Sequence, residues 1–271
     1  MVGASQRARI MITVKTYPEL SAKYHETNCV AGIRLDQGPP HHVRLFPVPF
    51  RLLGEEAQFA KYAIIEVDVQ RHRRDRRPES LRPNLETIKV IERLGTSDGW
   101  RERFSHIRPL VAPSLCAIKR EQAAQGTSLG VFRPAEFTGF RLEPAEPWPA
   151  SKTALANQMD LLAQDLRQLE WVPLEFRYSF RCADDSCPGH DMALRDWEAG
   201  ESYRKYLHKY GQAEVEAKLR ERWFDRMITR DKAVHCFVGN VAAHPKTFLL
   251  LGLLYPRRSV VETYQEGLFD I

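Results

Sequence analysis

Apolar and polar residues alternate through Tyr62 to Val69 (YAIIEVDV) and again through Thr87 to Leu94 (TIKVIERL), the period-two signature of half-buried strands. Further strand candidates lie upstream at Ile10 to Lys15 (IMITVK), Cys29 to Leu35 (CVAGIRL), rich in β-branched and small residues, and His42 to Val48 (HVRLFPV), which alternates and is closed by prolines that cannot donate to a ladder. Two more follow at Leu129 to Arg133 (LGVFR) and Phe137 to Leu142 (FTGFRL). Strands this short, at turn-punctuated spacing, predict a β-rich N-terminal half of barrel or sandwich type.

The pattern changes after Glu143 to Pro149 (EPAEPWP), where three prolines in seven residues mark a break. The expected division is therefore 1–147 and 148–271. Beyond it Leu155, Met159, Leu162, Leu166 and Leu169 recur at helical spacing, predicting an amphipathic helix opened by Ser151. A strand is expected at Phe176 to Arg181 and helices over Ala193 to Tyr210 and Ala213 to Thr229, the second with Val215, Leu219, Trp223 and Met227 on one face. Strands at Val234 to Gly239 and Phe248 to Tyr255 close a mixed α/β domain.

At 271 residues, two domains are the natural expectation. With 43% hydrophobic residues and a mean hydropathy of −0.43 the chain reads as globular, and its longest apolar stretch, Thr247 to Tyr255, is about half of the roughly 20 residues a membrane helix needs. The apolar run Ile10 to Val14 is too short for a signal-peptide core, so a cytoplasmic protein with no membrane partner is expected. Charge is unevenly placed: residues 1–150 carry 23 Lys and Arg against 17 Asp and Glu, the remainder 17 against 18. The densest run, Arg71 to Arg82 (RHRRDRRPESLR), holds six arginines, whose planar forks suit phosphate and stack on bases. An acidic partner is favoured.

Taken in order, KYHETNCVAGIRLD (Lys23 to Asp36), HVRLFPV, AIIEVDV with the following RPES (Ala63 to Ser80), GTSDGW (Gly95 to Trp100) and SLGVFRP (Ser128 to Pro134) resemble the dual OB-fold domain of prokaryotic proteins over about residues 10–145. The resemblance implies tandem OB-like barrels and a role in nucleic-acid binding, in DNA metabolism or anti-phage defence. The second half is similar to an uncharacterised bacterial family in its FRYSFRCADDSCPGHDMALRDWE, HCFVGN and HPKTF segments, with no activity to carry over. OB folds hold single strands through a basic groove with aromatic platforms. The candidates for that role are Arg44, Phe46, Arg51, Arg73, Arg74, Arg76, Arg77 and Trp100, with DNA or RNA as partner and a single strand favoured.

Cys182 and Cys187, followed by His190, place three metal ligands on one loop in a C-x4-C-x2-H pattern suited to structural Zn²⁺. His235 is the expected fourth ligand, with Cys236, His244 and Asp191 as further options; Cys29 and Cys116 lie among apolar neighbours and read as core. Asp196 and Glu198 near this loop raise the alternative of a metal-dependent nuclease or nucleotide-processing enzyme, although two residues apart on a helix they would face different sides. Phosphate-loop, dinucleotide-binding, nucleophile-elbow and HExxH motifs do not occur, which disfavours ATP-driven or Rossmann-type chemistry. The last residues, QEGLFDI, offer Gln265, Leu268 and Phe269 as a short peptide of the kind that docks on a sliding clamp, a third reading in which the protein is an adaptor.

Overall fold

The computed structural model describes residues 5–21, 25–162 and 169–266. Five strands close a barrel: β1 (Gln6–Lys15), β3 (His25–Arg34), β4 (His41–Val48), β5 (Ala63–Arg71) and β6 (Ser80–Arg93), with the short β2 (Glu19–Ser21) paired outside β3. β1 pairs antiparallel with both β3 and β5, β3 with β4 and β5 with β6, while β4 and β6 close the ring in parallel through Arg44 and Ser80. This is the strand order of an OB-like barrel. Its interior is filled by the alternate residues the sequence pattern marks, among them Ile10, Ile12, Val30, Val43, Leu45, Ile65 and Val67. At Gly32 a Cβ would lie 2.5 Å from the Met11 carbonyl oxygen, so the close approach of β3 to β1 requires glycine there.

Helices α1 (Ser97–Ile107) and α2 (Leu115–Gln125) follow, neither visible as a strong period in the sequence. The remaining strands form one seven-stranded sheet in the order β7-β8-β12-β13-β11-β10-β9: β7 (Val111–Ala112), β8 (Leu129–Phe132), β9 (Glu136–Pro144), β10 (Leu174–Arg181), β11 (His190–Leu194), β12 (His235–Val241) and β13 (His244–Leu254). Helices α3 (Ala150–Leu162), α4 (Trp197–Tyr210), α5 (Val215–Arg220) and α6 (Arg258–Glu266) accompany it. No described helix is long and apolar enough to cross a membrane.

Two expectations change. The strands at 129–132 and 136–144 do not build a second barrel among the described residues; β8 pairs with β12 and β9 with β10, so they belong to the second sheet. That sheet begins at Val111, and the proline-rich break lies within its unit, between β9 and α3. The helix expected from Ala193 starts only at Trp197, because His190–Leu194 is recruited as a central strand and Asp196 caps the helix, its side chain accepting from the Glu198 N–H.

The second sheet packs on the outside of the barrel. Met11, Val14, Ala31, Ile33 and Ile64, the outward members of the alternating strands, share one apolar cluster with Leu129, Val131, Phe237, Leu251 and Leu254. The outward residues of β1, β3 and β5 are thus covered by the protein itself, and on β4 the outward Arg44 is buried as well.

Candidate functional site

The β5–β6 connection carries the arginine run, at the position where OB barrels use a binding loop. Its conformation is fixed from within. Arg71 Nη1 donates to the carbonyls of Arg77, Pro78 and Ser80 at 2.8, 3.0 and 2.9 Å. Asp75 accepts from Arg77 Nε at 2.9 Å, Arg77 Nη2 at 2.7 Å and Ser80 Oγ at 2.7 Å. Burial works against the Asp75 charge, but these donors outweigh it and hold the carboxyl well below the usual range. Arg77 Nη1 also donates to the Asn240 carbonyl at 2.8 Å, fastening the loop to the second sheet. Arg73, Arg74 and Arg76 are exposed on this scaffold, with no hydrogen bond from their guanidinium groups among the described residues. Phe46 is half-buried beside them, its ring 6.1 Å from that of His72.

The other expected nucleic-acid contacts are spent elsewhere. Arg44 is 1% exposed and donates to Ser128 Oγ at 2.7 Å and the Ser128 carbonyl at 3.1 Å, while Ser128 Oγ donates to Glu79 at 2.6 Å. It joins the two units and cannot reach a ligand on the surface. Arg51 lies 3.4 Å from the buried Glu26 carboxylate. Trp100 sits between Tyr62 and Tyr255, with ring centroids 5.9 and 4.2 Å away, and is inter-unit packing.

In the second unit a four-residue cluster forms. Cys182 follows β10, Cys187 lies in the turn and His190 opens β11; Gly189, at φ +86°, lets the loop fold back. The fourth member is Cys116, in the first turn of α2, where Ser114 Oγ accepts from the Ala117 N–H at 2.9 Å. One ligand atom from each of the four lies within 4.8 Å of the others, and His190 Nε2 is 3.4 Å from both Cys116 Sγ and Cys187 Sγ. A tetrahedral site with bonds of about 2.3 Å to sulfur and 2.0 Å to nitrogen has edges of roughly 3.5–3.8 Å, so the donor set and spacing fit such an ion.

The thiols are not equivalent. Burial pushes Cys116 up to about 12 and raises Cys182. Burial also opposes the Cys187 thiolate, yet the N–H groups of Cys182 and Gly189, at 3.2 and 3.4 Å, help hold its value down. Burial lowers His190, leaving the neutral ring that a metal requires.

His235 is not part of this cluster. Its Nδ1 lies 2.8 Å from the Ala233 carbonyl and its ring packs on Phe104 at 5.1 Å. Cys116, expected from its apolar neighbours to be core, joins the cluster instead; it is distant in sequence, so spacing carries no sign of it. Asp196 and Glu198 do converge, but on Lys61: Nζ is 2.7 Å from Asp196 Oδ2 and 3.0 Å from Glu198 Oε2. Of the tail, Gln265 lies in α6 and Leu268 and Phe269 fall outside the described residues.

These features define a protein of two joined units, an OB-like barrel with an arginine-rich loop and an α/β unit with a Cys₃His cluster. Residues 111–271 match a domain of unknown function (DUF8757), and the chain belongs to that family; residues 6–109 match a second domain of unknown function (DUF8758). No curated protein matches the chain.

Proposed function

We propose that the protein binds nucleic acid through the β5–β6 loop and that its second unit is organised by a structural zinc ion. What carries the reading is the combination of exposed Arg73, Arg74 and Arg76 with a loop backbone already fixed by Arg71, Asp75 and Arg77. A solvated surface loop has no need of such a scaffold. A phosphate-binding one gains from it, because the ordering entropy is met during folding and not on binding. With the outward residues of β1, β3 and β5 covered by the second sheet, the reading favours the loop as the contact surface.

Three cysteines and a histidine form a closed four-ligand set, the chemistry of a structural and not an open catalytic zinc site. The ion would tie α2 to the β10–β11 turn, and its binding would displace protons from the Cys116 and Cys182 thiols. The test of the binding reading is fluorescence anisotropy with matched single- and double-stranded DNA and RNA at two salt concentrations. Micromolar affinity that falls steeply with salt supports it and identifies the strand type; no binding to any of the four refutes it.

A further inference from the structure

Where the arginine loop meets the second unit there is a cavity of about 500 Å³, within the range of sites for small ligands. Its walls are aliphatic: Val43 and Leu81 from the barrel, Ile118 from α2 and Leu129 from β8. Its polar groups are of both senses. His42 contributes a ring whose Nε2 is buried and has no hydrogen-bond partner among the described residues. Burial holds this imidazole near 4, so it is neutral at pH 7 and offers one acceptor and one donor nitrogen. Glu79 adds a carboxylate fixed by the Ser128 N–H at 2.7 Å and the Ser128 hydroxyl. Arg34, already paired with Asp36, supplies a guanidinium edge.

An aliphatic cavity that also presents neutral and charged hydrogen-bonding groups suits a heterocycle that carries donors and acceptors on an apolar ring. It does not suit a phosphate. Glu79 and Glu121 line the cavity and would repel an anion inside it. The anion's place is outside, on the same loop, since Pro78 and Glu79 form the cavity wall while Arg73, Arg74 and Arg76 stand on the exposed surface. One loop therefore presents both chemistries.

From this placement we propose that the cavity takes the base of a nucleotide, with the attached phosphate held by the arginine loop. The base belongs either to a free nucleotide or to an unpaired or terminal residue of a nucleic acid. In the second case the inference rests on the proposed function and deepens it. A ligand donor directed at His42 Nε2 satisfies the buried orphan atom, and the site lies between the barrel and the second unit, where such pockets commonly form.

The test is isothermal titration of the full chain with 5′-AMP, 5′-GMP, 5′-CMP and 5′-UMP, the four matching nucleosides, inorganic phosphate, and a short single-stranded oligonucleotide. At least one mononucleotide should bind, its nucleoside several-fold more weakly and phosphate alone not measurably. H42L should weaken that binding at least tenfold. So should Q125W, which places an indole at the cavity mouth from the exposed end of α2 and carries the test if H42L does not fold. Absence of binding by all four mononucleotides at millimolar concentration, or binding unchanged in both variants, overturns the proposal. Salt-sensitive oligonucleotide binding in that event leaves the loop reading standing. Mononucleotide binding that both variants abolish, with no oligonucleotide affinity, supports the cavity and refutes the nucleic-acid reading.

Discussion

Lys61 Nζ lies 2.7 Å from Asp196 Oδ2, a contact between the barrel and the second unit in which both side chains are buried, at 6% and 0% exposure. Asp196 reaches it because it is the N-cap of α4, with extended and not helical backbone; Glu198, in the first turn, is then free to approach from the solvent side. Burial opposes the Lys61 charge, and the two carboxylates outweigh it, holding the ammonium well above its ordinary value. With both acids committed to an ammonium, the cluster is a clamp between units.

Breaking that clamp from one side leaves a buried charge without its partner. K61M or D196N should each cost about 3–5 kcal/mol of stability in urea unfolding, with the double variant less destabilised than the sum. E198A, whose carboxylate is 54% exposed, should cost under about 1 kcal/mol. Equal losses in E198A and D196N would contradict the account.

The metal site makes a compositional prediction. The purified chain should hold one zinc ion by atomic absorption, and C116S should lose it as fully as C187S, whereas H235A should retain it. Chelation should lower the melting temperature of the wild-type chain and leave that of C116S nearly unchanged. Retention of stoichiometric zinc by C116S would exclude Cys116 as a ligand.

A pH dependence comes from two buried rings, that of His42 and that of His235. Burial holds the His235 ring at about 4 in the folded chain, below an ordinary value of about 6.5. Between these values the unfolded chain binds a proton that the native one does not, so this contribution is complete above pH 6.5 and lost as pH falls toward 4, by up to roughly 3 kcal/mol. H235F should make the fall in unfolding free energy over that window shallower, with the share of His42 remaining. An unchanged slope would mean that other groups dominate it.

Much of the barrel is legible in the sequence because every second residue of its strands faces one core and is apolar, as at Ile10, Ile12, Ile65 and Val67. The outward residues Met11, Ala31 and Ile33 are apolar too, and that second stripe announces a covered face only once the sheet lying on it is known. The assignment of β8 and β9 to a second barrel failed for a related reason: a strand's pattern reports burial and not its partner. Arg44, on β4, and Arg77, in the basic run, read as ligand contacts in the sequence, yet their targets, Ser128 and the Asn240 carbonyl, are far along the chain. Cys182, Cys187 and His190 share a loop and could be read together, whereas Cys116 arrives from another element.

The exposed arginines themselves bear the central claim, and the salt dependence of affinity for the best nucleic acid measures them most directly. Plots of log K against log salt for the wild type and for R73A/R74A/R76A should differ in slope by roughly 2–3, at about 0.7–0.9 per phosphate contact, while the variant keeps its melting temperature. A variant with wild-type affinity and slope would show that the nucleic acid lies elsewhere and would contradict the account.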